Sequence, residues 1–386
     1  MGDRVRLETV VPPVLGKEIG RQVVNALAST SFQVDVVFCP RKVPICGHTQ
    51  NSEFSMAHLD AYNRPISYLR ISVTDRCNLR CVYCMPPEGV CPRSHDEILR
   101  YEEIGTVVRA AAELGISKVR LTGGEPLVRL GLVDLVRMLA RIPGVDDLAM
   151  TTNGILLSRY AAALADVGLQ RVNVSLDTLR PERFRHITRR GRLEDVLSGM
   201  EAAREAGLEP IKINTVVIQG INDDEAVDFA QRTIEMAWNV RFIELMPVGS
   251  GVLADGGWQE RVVTARQVRR QIEAALGELE SARMSAGNGP ARYYRLPGAR
   301  GTIGFITPIS DHFCYQCNRL RLTADGQLRP CLLSDQEIDL RTPLRRGADV
   351  GQIKELLLSG IGSKPMQHHL DECQLPENRA MSEIGG

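Results

Sequence analysis

No apolar run in this 386-residue chain approaches the roughly eighteen residues that a membrane-spanning helix needs. The opening segment MGDRVRLETVVPPVLGKEIG lacks the continuous apolar stretch of a secretory signal, and Asp3, Glu8 and Glu18 argue against a transit peptide. A cytoplasmic location is therefore expected. Charge of one sign is missing too, since 47 Lys and Arg balance 47 Asp and Glu. Nothing marks a long nucleic-acid-binding face, and neither nucleic acid nor membrane is expected as a partner. The glycine-rich loop of P-loop enzymes is also absent, which excludes kinase or NTPase chemistry of that type. What is present is an ordinary globular composition, 44% hydrophobic and 24% charged, which argues against wholesale disorder.

Ten cysteines stand out against this background. A disulfide scaffold is typically short and loop-rich, and this chain is neither, so metal binding explains the clustering better. Cys77, Cys81 and Cys84 lie in DRCNLRCVYCMP, with three residues between the first pair and two between the second. Three thiolates can face one metal centre but cannot complete a four-thiolate site. Iron–sulfur clusters are usually held by four thiolates, so a four-iron cluster here would leave one iron open to a small molecule. Zinc is the alternative, but its structural sites close four ligands, and His95 lies eleven residues beyond Cys84. A second set, Cys314 and Cys317 in DHFCYQCNRLRLTADGQLRPCL with Cys331 further on, again lacks an obvious fourth ligand. His312 or Cys373 could complete a zinc ribbon; an iron–sulfur cluster with an open site is favoured because the first set already commits the protein to that chemistry. Cys39, Cys46, Cys91 and Cys373 stand singly, and Cys91 and Cys373 are read as non-ligands.

Short β-branched runs recur at 68–74, 118–124, 148–154, 171–177, 211–218 and 240–247, with helical periodicity between them. In YEEIGTVVRAAAELG, Ile104, Val107, Val108 and Ala111 share a face, and Gly115 ends the helix. Alternating strands and helices predict a parallel sheet, and six units fit a partial barrel rather than a closed eight-fold one. The fold class expected is α/β: a partial (β/α)6 TIM-like barrel with a C-terminal iron–sulfur region. Residues 1–60 carry no motif beyond a short helical pattern and read as a poorly ordered extension, with 61–290 as the barrel and 291–386 as the second-cluster region.

The strand ends carry TDRC, TGGEP, TTNG, SLDT, NTV and ELMP, marking one mouth lined by several loops. Gly123 to Pro126 could be a plain βα turn, and Ser175 or Asp177 could cap the helix near Pro181. Arg319 and Arg321, two apart on a strand, share a face, and Arg70, Lys118, Arg120, Lys212 and Arg241 lie in otherwise apolar strands. Unpaired charges there are costly unless an anion meets them, so together they describe a basic cavity of triphosphate scale.

The Cys-x3-Cys-x-aromatic-Cys spacing, with Tyr83 at the aromatic position, resembles the signature of the radical SAM superfamily. RPISYLRISVTDRCNLRCVYCMP, RLTGGEPL, TTNG, VSLD, IKIN, RFIELMP, FCYQCNRLRLTADGQLRPCL and the terminal Gly385-Gly386 are together similar to the GTP 3′,8-cyclase family, over about Arg64 to Gly386. Ala61-Tyr62-Asn63-Arg64 departs from the family's usual Phe-Gly-Arg. The resemblance implies a lyase of the first step of molybdenum cofactor biosynthesis, with two [4Fe–4S] clusters and S-adenosyl-L-methionine (SAM) as cofactors. It implies that the cluster on Cys77, Cys81 and Cys84 cleaves SAM to a 5′-deoxyadenosyl radical, which removes the 3′ hydrogen of GTP. The product implied is (8S)-3′,8-cyclo-7,8-dihydroguanosine 5′-triphosphate. It further implies SAM contacts from Tyr83, Gly124, Ser175 and Met246, and GTP contacts from Arg70, Arg120, Thr151, Lys212, Arg319 and Arg321. Cys314, Cys317 and Cys331 would hold the guanine end through an open iron, while Arg319, Arg321, Gly385 and Gly386 serve catalysis. Implied partners are a reduced flavodoxin- or ferredoxin-type electron donor, cyclic pyranopterin monophosphate synthase as the next enzyme, and a second copy in a homodimer. Another two-cluster radical SAM enzyme, acting on peptide or haem, and a zinc-stabilised binding protein are the alternatives.

Overall fold

The computed structural model describes residues 57–248, 257–283, 289–372, 375, 376 and 378–385. The extension to residue 56, Cys39, Cys46, Cys373 and Gly386 lie outside the described residues.

Six strands alternate with helices along the first part of the chain. They are β1 (Tyr68–Ser72), β2 (Lys118–Thr122), β3 (Asp147–Thr152), β4 (Arg171–Ser175), β5 (Lys212–Val217) and β6 (Asn239–Glu244). Between them run α1 (Tyr101–Glu113), α2 (Leu132–Leu139), α3 (Leu157–Asp166), α4 (Pro181–Thr188), α5 (Leu193–Glu205) and α6 (Ala226–Glu235). The expected apolar stripe of α1 is buried, and Gly115, with φ of 78°, ends the segment in the left-handed region that glycine tolerates.

All six strands are parallel in sequential order, and the sheet is wider than six. After α7 (Ala265–Leu276) come β7 (Glu280–Ser281), β8 (Arg292–Arg295) and β9 (Thr302–Ile306), with β9 parallel to β6. At the other edge β10 (Arg319–Leu322) is parallel to β1, followed by antiparallel β11 (Gln327–Arg329) and β12 (Ile338–Asp339). The full order is β12-β11-β10-β1-β2-β3-β4-β5-β6-β9-β8-β7. The two flanking parallel strands come from the C-terminal region, so eight of the twelve strands run parallel, the six predicted from the βα rhythm among them. The final helices are α8 (Arg341–Arg345), α9 (Val350–Gly362), which packs on α1, and α10 (Met381–Ile384).

Side chains alternate across each strand. Leu69 and Ile71, Val119 and Leu121, Leu148 and Met150, Val172 and Val174 point to the helices and are buried in one large core. Their neighbours Arg70, Arg120, Thr151, Asn173 and Lys212 face a single cavity to which β1 to β6, β9 and β10 all contribute. The apolar half of each strand closes the protein; the polar half is left for the cavity.

Candidate active site

The loop after β1 carries Cys77, Cys81 and Cys84, and a second loop supports it. The Gly124 N–H donates to the Thr74 carbonyl and the Glu125 N–H to the Arg76 carbonyl, both at 2.8 Å. A Cβ on Gly124 would stand 2.4 Å from the Arg76 carbonyl oxygen, so the backbones approach closely only because this residue is glycine. Glu125, fully buried, accepts from Thr152 Oγ1 at 2.7 Å and from the Asn153 N–H at 2.6 Å. Asn153 Nδ2 then donates to Asn78 Oδ1 at 2.7 Å. Three strand-end loops are thereby tied around the thiols.

The three thiols are free and line the cavity. Burial pushes Cys77 up to about 11 and Cys84 up to about 12, with Cys81 also raised well above its usual value. Three such groups ionise only beside a strong positive charge, which a bound metal centre supplies. Among the described residues no three His, Cys, Asp or Glu side chains gather as a site for a single metal ion. Three thiols on one loop, lining the cavity, suit a multi-iron cluster in which each thiolate takes its own iron.

Cys314, Cys317 and Cys331 are also free and line the same cavity. Burial raises Cys314. At Cys317 burial acts in the same direction, but the nearby Lys364 and Arg319 outweigh it and bring the thiol to about 7. His312 lines the cavity with Nδ1 buried and unpartnered among the described residues, and its ring meets His368 edge-on at 5.3 Å. Cys91 is exposed and outside the cavity.

The cations share the cavity with both triads. Arg70, Arg120, Lys212, Arg241, Arg319 and Arg321 line the cavity; Lys118 does not. Nε and Nη1 of Arg120, and Nε and Nη2 of Arg241, are buried with no hydrogen-bond partner among the described residues. Burial and then repulsion from Arg241, Arg171 and Arg120 lower Lys212 to about 7, and burial lowers Arg70 to about 10. Of the two acids on the cavity wall, Asp147 is paired with Arg171 and Asp177 accepts from Tyr83. Mutually repelling cations, with unfilled donors on Arg120 and Arg241, fit a polyanion.

Tyr83, Gly124, Ser175 and Met246 line the cavity with the first triad, and Thr151 with the cations. Asp177 caps no helix: the position before Pro181 is Arg180, without a side-chain cap. Instead Asp177 accepts from Tyr83 Oη at 2.7 Å and from the Val216 N–H at 2.9 Å. Arg321 Nη1 donates to the Gly385 carbonyl at 2.7 Å, which brings the end of the described chain to the cavity wall. Sequence reasoning missed Tyr68, Asn173, Asn214, Lys364 and His368, which also line the cavity. The strand residues among them had a signal, since each stands two positions from a recognised site residue: Tyr68 from Arg70, Asn173 from Ser175 and Asn214 from Lys212.

Residues 71–233 match the Radical SAM superfamily, and residues 238–370 match Molybdenum Cofactor Synthesis C. A GTP 3′,8-cyclase of Pelotomaculum thermopropionicum is 58% identical over 327 residues, covering 85% of this chain and 99% of that protein. A GTP 3′,8-cyclase of Heliobacterium modesticaldum is 53% identical over 332 residues, covering 85% of this chain and 100% of that one. Among solved structures, Streptococcus suis SuiB bound to S-adenosylmethionine has a TM-score of 0.51 at 14% identity, covering 75% of this chain and 67% of that one. That likeness is one of fold alone. Two matched regions and near full-length relatives agree with the two thiol triads on one cavity: the chain belongs to the GTP 3′,8-cyclase family of radical SAM enzymes.

Proposed function

We propose that the cavity of this GTP 3′,8-cyclase family enzyme holds GTP between two [4Fe–4S] clusters, for the first step of molybdenum cofactor biosynthesis. The observation that carries this is the set of cations, Arg120 and Arg241 among them with unfilled donors, on the one cavity that both thiol triads line. Cys77, Cys81 and Cys84 would hold the first cluster, with Tyr83, Gly124, Ser175 and Met246 around SAM. When bound, this pair supplies the 5′-deoxyadenosyl radical that activates C3′ of GTP for closure onto C8. Arg70, Arg120, Thr151, Lys212, Arg319 and Arg321 would grip the triphosphate, with Arg241 adding charge. Cys314, Cys317 and Cys331 would hold the second cluster at the base end.

The chain's own residues bind, orient and exclude water; the radical chemistry belongs to the cofactor. The loops tied by Glu125 and Asn153 fix the first triad against movement. The Arg321–Gly385 bond holds the tail at the cavity, where Gly385 and Gly386 would help order the reacting groups. In this reading 1–60 is an extension, 61–290 the SAM-binding barrel and 291–386 the second-cluster region. The reading extends to a cytoplasmic homodimer that receives electrons from a reduced flavodoxin or ferredoxin and hands its product to cyclic pyranopterin monophosphate synthase. Family membership supports those partners, and no helix among the described residues is long and apolar enough to cross a membrane.

An anaerobic assay with reductant, SAM and GTP deuterated at C3′ tests the proposal. The expected result is deuterium in 5′-deoxyadenosine together with a cyclised guanosine triphosphate. Unlabelled 5′-deoxyadenosine would retain radical SAM chemistry and refute the GTP assignment.

A further inference from the structure

Lys364 is the first residue of a short segment, Lys364 to His368, that follows α9 and lies beside the second triad. Its ammonium is buried, with 3% of the residue exposed. Nζ donates to the Arg319 carbonyl at 2.8 Å and to the Pro330 carbonyl at 2.6 Å. Arg319 stands two residues after Cys317, and Pro330 immediately precedes Cys331. The same ammonium is near enough to the Cys317 thiol to favour its ionised form.

The rest of the segment serves Cys314. The His368 backbone N–H faces the Cys314 sulfur. Arg64, buried and paired with Asp60, donates to the Cys314 carbonyl at 2.7 Å, the Met366 carbonyl at 2.9 Å and the Pro365 carbonyl at 2.7 Å. One five-residue segment thus touches a chain stretch beside each cysteine, those of Cys317 and Cys331 being the two open ends of the antiparallel β10–β11 pair. A lysine kept only for packing would not have both carbonyls and a sulfur at its head.

We infer that Lys364 is a positioning residue for the second triad, holding the segments of Cys317 and Cys331 in register and setting a positive charge at the Cys317 sulfur. This rests on the reading of Cys314, Cys317 and Cys331 as a cluster site. Removing the ammonium leaves two buried carbonyls without a donor, which loosens the triad. It also removes a charge that favours the more negative, reduced cluster, so any cluster that forms should have a lower midpoint potential.

The test uses the C81A chain, in which the first triad is broken, so that bound iron and sulfide report the second triad. After anaerobic reconstitution, iron and sulfide are counted and the midpoint potential is read by electron paramagnetic resonance. C81A/K364M should hold at most half the iron of C81A, or the same iron at a lower potential. C81A/K364R, which keeps donors and charge, should recover iron and potential towards those of C81A. Full iron at an unaltered potential in C81A/K364M overturns the inference. So does K364M in the otherwise unchanged chain if it loses the first cluster to the same extent as the second, since Lys364 would then serve packing in general. A C81A chain that binds no iron–sulfur cluster refutes instead the cluster reading of the second triad.

Discussion

Lys212 is 2% exposed and sits among Arg241, Arg171 and Arg120, and burial together with those guanidinium groups brings it from 10.5 to about 7. The unfolded chain therefore binds more protons between about pH 7 and the lysine's ordinary range, so the ligand-free fold gains stability from Lys212 as pH rises through that window. A triphosphate reverses the balance, because it favours the ammonium. GTP binding at pH 8 should take up a proton that binding at pH 6 does not, and affinity should fall as pH rises above 7. Calorimetry in buffers of different ionisation enthalpy measures this directly; zero uptake at pH 8 would mean that the triphosphate does not meet Lys212. These strand cations were legible in the sequence, since a charge in an apolar strand is conspicuous. Lys364 was not, because its partners lie 45 and 34 residues away and nothing in its own neighbourhood shows them.

Among elements, the decisive contact is that between the loops after β1 and β2. The Gly124 position admits no side chain, its Cβ being placed 2.4 Å from the Arg76 carbonyl. Gly124→Ala must push the two loops apart, at an overpacking cost of ~1–3 kcal/mol. SAM affinity should drop by about tenfold or more if most of that strain falls on the bound state, while GTP binding changes little. Equilibrium binding of each ligand to reconstituted protein checks both halves, and equal losses for SAM and GTP would contradict the division of the cavity. The six βα units were readable from alternating periodicities. The flanking strands β9 and β10 were not, because parallel pairing across Arg70 and Arg321 joins chain segments 251 residues apart.

At the scale of the molecule, the C-terminal segment is held by buried charge. Arg379 donates to both oxygens of Asp325 at 3.0 Å and to Glu337, which also pairs with the fully buried Arg329. Arg93 reaches Asp325 and Glu383, and α10 then delivers Gly385 to Arg321. Breaking such a buried pair on one side costs about 3–5 kcal/mol. Arg379→Ala should lower unfolding stability by that order in denaturant titrations and impair cyclisation more than SAM cleavage. A stability within about 0.5 kcal/mol of wild type would class the network as a surface feature.

Spacing and periodicity, both local, determined the two cysteine sets, the βα rhythm and the cationic strands. They sufficed because thiol clusters, alternation and stranded charge leave their mark within a few residues. Tertiary structure alone decided that both triads open onto one cavity, that Asp177 serves Tyr83 rather than a helix end, and that Arg321 receives the chain's tail. Those facts depend on which distant groups meet, and a hydrogen bond across 94 or 64 residues has no local trace.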